Sequence, residues 1–355
     1  MQQYKKNSQK IFIAIISLLL IISSLIYLLT DRSRAKYFTG TELKATNLEL
    51  SDSLGLPTNI AYINKALFII DASPISNDNQ VKVYDPYINK YITSFGKNGS
   101  GPGEYTGLWS ISQKVNDENI LVLYDLVESR ITMLQINNLN NVKIDTMITL
   151  KEGTPLSPVV VNDSTIFSNG GSLKKGRYAE YDFNGNLKEY VGELLPGKRT
   201  EVPVPIHQEA SIGKLKVSPD GKHIVLTSLN SDYIDIYNNI GSLVRRIEGP
   251  KKLNPQYNIK IIDGKPKLTY ANTKTILCYI DATLTNNRIF ALFSGEELHG
   301  ATGGSIIHVF DMKGDFVKTY TVKEKLGGIC IDHQNKRLYA LQNEPVPDVL
   351  MYNLE

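Results

Sequence analysis

A short strand pattern recurs down this chain, and it limits the possible folds more than any other feature. Its clearest copy is Val81–Asp85, apolar at Val81, polar at Lys82, apolar at Val83, then Tyr84 and Asp85, with a turn and a second strand over Lys90–Phe95 behind it. Alternation with a period of two turns one side of such a segment toward a core, and turn residues end it. The same form stands at Ile234–Asn238, Ile307–Asp311 and Val349–Asn353, with degraded copies at Ile131–Gln135 and Tyr178–Asp182, six in all. Repeats spaced at roughly 40 to 70 residues, each with several short strands, point to a propeller rather than a solenoid or a sandwich.

Each copy is preceded by a second hairpin that turns on Asn, Asp or Gly, as at Asp117, Asp163, Asp220–Gly221 and Asn286–Asn287. These residues tolerate the positive φ of tight turns. A repeat is thus four antiparallel strands, a to d in chain order. The sixth copy runs out at Glu355 without a fourth strand, so the strand-like Leu43–Leu50 is expected to supply it and close the ring, removing two free sheet edges. The expected fold class is all-β: a six-bladed β-propeller over 42–355 with four-stranded antiparallel blades, the last closed by an N-terminal strand.

Ahead of it lies Ile11–Leu29, apolar except for Ser17, Ser23, Ser24 and Tyr27. As a helix this run would be about 28 Å long, close to the hydrocarbon core of a bilayer at about 30 Å. A secretory signal peptide has a shorter apolar stretch and a small-residue cleavage site, whereas this run ends Leu28, Leu29, Thr30, Asp31, Arg32. One uncleaved N-terminal transmembrane helix is therefore expected, between a cytoplasmic stretch over 1–10 and a linker over 30–41. Lys5, Lys6 and Lys10 favour a cytoplasmic N-terminus, though Arg32, Arg34 and Lys36 weigh on the other flank. The propeller would then lie outside the cytoplasm, at the cell membrane, or be secreted if the segment is removed.

The net charge of +3 does not imply a nucleic-acid partner. The basic excess sits in the first forty residues, leaving a slightly acidic remainder with no general phosphate-neutralising surface. Cys278 and Cys330, the only cysteines, read as small buried side chains rather than a disulfide. The glycines at 96, 99, 101 and 103 lack the helix and the lysine of a phosphate loop and suit a crossing between strands. No HExxH, Gly-x-Ser-x-Gly or activated cysteine is present, so no catalytic residue, metal site or cofactor is expected.

The long connections all join b to c or d to a, which emerge on one face, and binding residues tend to ride on such loops. That face is where a protein, peptide or carbohydrate ligand of the cell envelope is expected. Trp109, Glu104 and Tyr105 enter a first strand beside the channel mouth, where an aromatic next to a carboxylate suits such contact and core packing is the alternative. His207 and His299 lie on the same face, His299 near Glu296 and Glu297, the one hint of acid–base or metal chemistry. Tyr257–Tyr270 reads as an added hairpin turning at Asp263–Gly264, either a docking finger or a solvated insertion. Asp71, Asp125 and Arg130 read as structural partners at strand ends, while His223, His308 and His333 read as structural histidines.

Two segments resemble known propeller repeats. Leu67–Asp85 followed by FGKNGSGPGEY resembles the NHL type, with Gln80 where that pattern often has Arg. VSPDGKHIVLTSLNSDYIDIYNNIGSLVRRI, with its Ser218–Lys222 turn, is similar to TolB-type repeats, and residues 42–355 together resemble a TolB-like six-bladed propeller of the bacterial cell envelope. The resemblance implies the fold and leaves activity open, since propellers host unrelated functions. A binding or scaffold module is expected, with a metal-dependent lactonase or lyase as the alternative. Many relatives of this type are lipoproteins, but no cysteine follows the apolar run here.

Overall fold

The computed structural model describes residues 37–50, 53–73, 79–171, 175–195, 202–271, 273–332, 334 and 336–354. The expected anchor over Ile11–Leu29 lies outside these residues, as does His333. Among the described residues, no helix is long and apolar enough to cross a membrane.

The protein is an all-β propeller. Four sheets have four strands each in up-and-down order. The first is Pro57–Ile63, Ala66–Asp71, Val81–Asp85 and Lys90–Phe95, and the second is Leu108–Lys114, Asp117–Asp125, Arg130–Asn138 and Asn141–Thr149. The third runs from Val159–Val160 to Leu187–Val191 and the fourth from Leu215–Val217 to Leu243–Glu248. Burial follows strand position: Ala66–Asp71 is buried throughout, whereas the outer Lys90–Phe95 is exposed or half-buried. A strand covered on both faces needs apolar residues at nearly every position, and ALFIID supplies them.

Apart from three two-stranded pairings among the described residues, the remaining strands form one eight-stranded sheet, where the sequence led us to expect two separate ones. Phe316–Asp332 is a single strand that pairs through Phe316–Thr321 and Leu326 with Gly304–Asp311, and through Leu326–Asp332 with Arg337–Gln342. Elsewhere a loop separates the last strand of one repeat from the first strand of the next. Here only Val322–Lys325 intervenes, with no proline or turn residue to break the extended chain, so the two repeats stay joined.

Ala45–Asn47 pairs antiparallel with Leu350–Tyr352 and so completes the last set of strands from the N-terminal side. An additional pairing was not anticipated: Thr41–Glu42 runs parallel to Tyr320–Thr321 along the outer edge of the preceding set. The core is a circuit of wedges between neighbouring sheets. One wedge joins Phe68 to Leu121, and the last joins Leu67 and Ile69 of the first sheet to Tyr339 and Leu341 of the final strands. The innermost strands contact one another in the same closed order. Cys278 and Cys330 are both free and buried in this core.

Candidate functional site

The loop-bearing face is built around two added elements. One is the helix Val204–Ala210, which sequence patterning did not reveal because it is short and begins at a Val-Pro step inside a long connection. The other is the hairpin Asn258–Ile262 and Lys265–Thr269, whose turn has Asp263 at φ 51° and Gly264 at φ 71°. The helix packs against the second strand of the hairpin. At the hairpin base, Asn230 Nδ2 donates to the Tyr270 hydroxyl at 2.7 Å, and His299 Nε2 donates to the Tyr270 carbonyl at 2.8 Å. Toward its tip, Ile261 is 70% exposed and Ile262 50%, among exposed Lys260, Lys265 and Lys267.

The candidate residues separate by environment. Trp109 is 44% exposed at the start of an innermost strand, its carbonyl accepting from Asn59 Nδ2 at 2.8 Å. Tyr105, four residues before it, is 1% exposed, so its ring has no surface to offer a ligand, and burial pushes its hydroxyl up to about 12. Glu104 turns inward to accept the Gly101 N–H at 3.0 Å. A Cβ on Gly99, which sits at φ 152°, would lie 2.3 Å from the Glu104 carboxylate, so the loop's glycines make room for this closure.

His207 lies in the last turn of the helix, where burial lowers its pKa. Tyr257 is half-buried at the root of the hairpin. The expected pairing of His299 with the neighbouring glutamates is not made. Glu296 forms an ion pair with Lys325, and the imidazole is held by the Tyr270 carbonyl instead. Among the described residues, no group of three or more His, Cys, Asp or Glu side chains is placed to hold a metal ion.

Asp71 and Asp125 close the strand-b ends on backbone rather than on arginine. Asp71 accepts the Gly55 and Leu56 N–H groups at 3.0 and 2.8 Å, and Asp125 accepts that of Thr106 at 2.7 Å. Arg130 reaches the Ser100 and Glu104 carbonyls, pinning the glycine loop. Asp232 and Asp348 do the corresponding work at the start of c strands, accepting from Leu253 and Leu50 at 2.6 and 2.9 Å. Buried carboxylates with several N–H donors are satisfied groups.

A further polar cluster was not singled out from the sequence. Lys214 and Lys216 flank buried Leu215 at an innermost strand, so alternation turns both to the opposite face of the sheet from Leu215. Lys216 Nζ is 3.1 Å from Asp281 Oδ1, and Asp281 Oδ2 accepts the Ile329 N–H at 3.0 Å, so three consecutive repeats meet there. Crowding by protein lowers the pKa of Lys214, against an opposing pull from Asp281. The Lys-Leu-Lys alternation ahead of the Ser-Pro-Asp-Gly turn was the available signal.

Comparison with known proteins agrees with this architecture. A solved "Putative exported protein" from Bacteroides fragilis NCTC 9343 superposes with a TM-score of 0.55 at 15% identity, covering 88% of this chain and 94% of its own. The β-propeller domain of Cps50 (Swd1) from Myceliophteria thermophila gives 0.48 at 10% identity, covering 88% and 100%. No curated protein matches the sequence. The family model for the TolB-like 6-blade propeller-like group matches residues 39–334, and the chain belongs to that family.

Proposed function

We propose that this protein is an extracytoplasmic binding or scaffold module of the cell envelope, held by one membrane-spanning helix over Ile11–Leu29. In this reading it has six blades, the eight-stranded sheet being two blades run together through Phe316–Asp332. Family membership and the likeness to an exported propeller support the setting outside the cytoplasm. The apolar run and its flanking lysines support the anchor.

The observation that carries the binding role is the hairpin. A two-stranded ribbon is marginal in water by itself. This one is held at its base by the helix, Asn230 and His299, and it projects two exposed isoleucines among lysines. Such a surface suits a protein partner with an apolar contact and an acidic rim, since exposed apolar patches rimmed by polar groups mark interaction sites. Trp109 at the channel mouth extends the same face. The alternative is a metal-dependent lactonase or lyase; among the described residues no group of three or more His, Cys, Asp or Glu side chains is placed to hold a metal ion.

Replacing Asn258–Thr269 of the full chain by a short turn should abolish crosslinks to the partner in intact cells while the melting curve is retained. Undiminished crosslinking by a variant that still folds would refute this placement.

A further inference from the structure

Two lysines and one aspartate meet where three consecutive repeats adjoin, and they are unequally provided for. Lys214 and Lys216 stand two residues apart, so the pleat places both side chains on one face of their sheet. Lys216 Nζ lies 3.1 Å from Asp281 Oδ1, and Asp281 Oδ2 accepts the Ile329 N–H at 3.0 Å. Both oxygens of Asp281 are thus engaged. Among the described residues, no ion pair or hydrogen bond holds the Lys214 ammonium.

The surroundings of the Lys214 amine weigh against its charged form. Crowding by protein is the largest influence and disfavours the ammonium, Asp281 favours it, and Lys216 repels it, with a net lowering of its pKa. The nearby Cys330 thiol is buried, and burial keeps it protonated, so it adds no charge of its own. Lys214 is half-buried rather than sealed, which leaves a way in for a molecule of a few atoms. A lysine relieved of part of its charge beside a second cation is a nucleophile toward carbonyl carbon.

We propose that Lys214 is a carbonyl-capture site that takes a small aldehyde as an imine. The amine lone pair adds to the carbonyl carbon, and one N–H proton passes to the oxygen to give a carbinolamine. The second N–H proton leaves with that oxygen as water while the C=N bond forms, so nothing is oxidised or reduced. Lys216 is a positioning residue in this scheme, because its pairing with Asp281 keeps the carboxylate from neutralising Lys214. The site stands apart from the hairpin surface and does not depend on the partner proposed for it.

The test exposes the full chain in detergent to dilute acetaldehyde at pH 7, with cyanoborohydride to reduce each imine to an ethylamine, and follows every lysine by peptide mass spectrometry. Lys214 should be labelled several-fold faster than the median of the other lysines, and Lys214→Arg should remove the fast site. The two neighbours should shift its rate in opposite directions. Lys216→Met frees Asp281 to pair with Lys214 and should slow labelling there, whereas Asp281→Asn removes the favouring charge, keeps an oxygen for the Ile329 N–H, and should speed it. Melting curves identify the variants that fold, and the wild-type rates stand without them. Labelling of Lys214 at or below the median, or a folded variant whose Lys214 rate is unchanged or moves the other way, would overturn the proposal.

Discussion

His308 shows how far one side chain can depend on its surroundings. It sits mid-strand, 0% exposed, between the Tyr279 hydroxyl at 3.2 Å and the Tyr37 carbonyl at 2.8 Å. A neutral imidazole can donate from Nε2 to the carbonyl and accept the hydroxyl at Nδ1, and it is burial, not these bonds, that disfavours the imidazolium. Burial lowers its pKa to about 4. Because the folded value lies below the ordinary 6.5, the contribution to stability is fully present above pH 6.5 and is lost as pH falls toward 4, where the unfolded chain binds a proton that the fold refuses. The loss is about 3 kcal/mol across that window, at about 1.4 kcal/mol per pH unit. Melting midpoints of the wild type and His308→Gln between about pH 4.5 and 7 should converge as pH falls. A constant gap would contradict the account.

Residues of similar appearance in the sequence met different fates for the same kind of reason. Tyr105 and Trp109 both looked suited to a channel mouth, yet one is core and the other exposed. The two flank a strand entry, and Tyr105 is enclosed by distant residues, Gln80 bonding its carbonyl and Arg130 lying over its ring. Local pattern carries no information about those distant partners.

At the scale of elements, the long connection between the third and fourth sheets is tied down by charge. Asp235, 0% exposed, accepts from Arg177 Nε at 3.0 Å and from Arg246 Nε and Nη2 at 2.6 and 3.1 Å. Arg177 continues to the Ser228 hydroxyl at 2.9 Å and the Ser211 carbonyl, and Arg246 to the Glu193 carbonyl at 3.0 Å. The carboxylate therefore fixes both ends of the loop that carries the helix. Removing one member of a buried pair leaves an uncompensated charge, at about 3–5 kcal/mol. Asp235→Ala should lower the denaturation midpoint by that amount and loosen the helix to proteolysis. A shift under about 1 kcal/mol, typical of exposed pairs, would show the network to be solvated.

The hairpin and the helix differ in legibility on physical grounds. The hairpin was readable because Asp263–Gly264 requires positive φ at two successive residues, a constraint local to the turn. The helix is only seven residues long, too short to hold together without tertiary packing, and its support comes from the hairpin strand far along the chain. The joined sheet belongs with the helix. Nothing in Val322–Lys325 distinguishes a strand that turns from one that runs on, and pairing partners on both sides decide it.

For the whole molecule the determining event is closure. Leu43, Leu48 and Leu50 are 6%, 5% and 5% exposed, and Ala45–Asn47 supplies the ladder that the final strands lack. Deleting residues 41–50 should cost roughly 5 kcal/mol or more at about 1.5–3 kcal/mol per buried leucine, and it should expose the edge of Asp348–Asn353 to self-association. Thermal melting with light scattering measures both. An unchanged midpoint would mean that the ring is held shut by other contacts.

The sequence by itself determined that the chain is all-β, that its strands repeat in fours, where the hairpins turn, and that an N-terminal strand finishes the last set. Each of these follows from interactions within a few residues, or from a repeat unable to bury its faces alone. Only the tertiary structure decided that Lys216 pairs with Asp281 of the next repeat, that His299 and Glu296 go to different partners, and that the Tyr37 ring packs against Phe316. Those outcomes depend on which repeats are brought side by side, and that is fixed by packing between residues far apart in the chain.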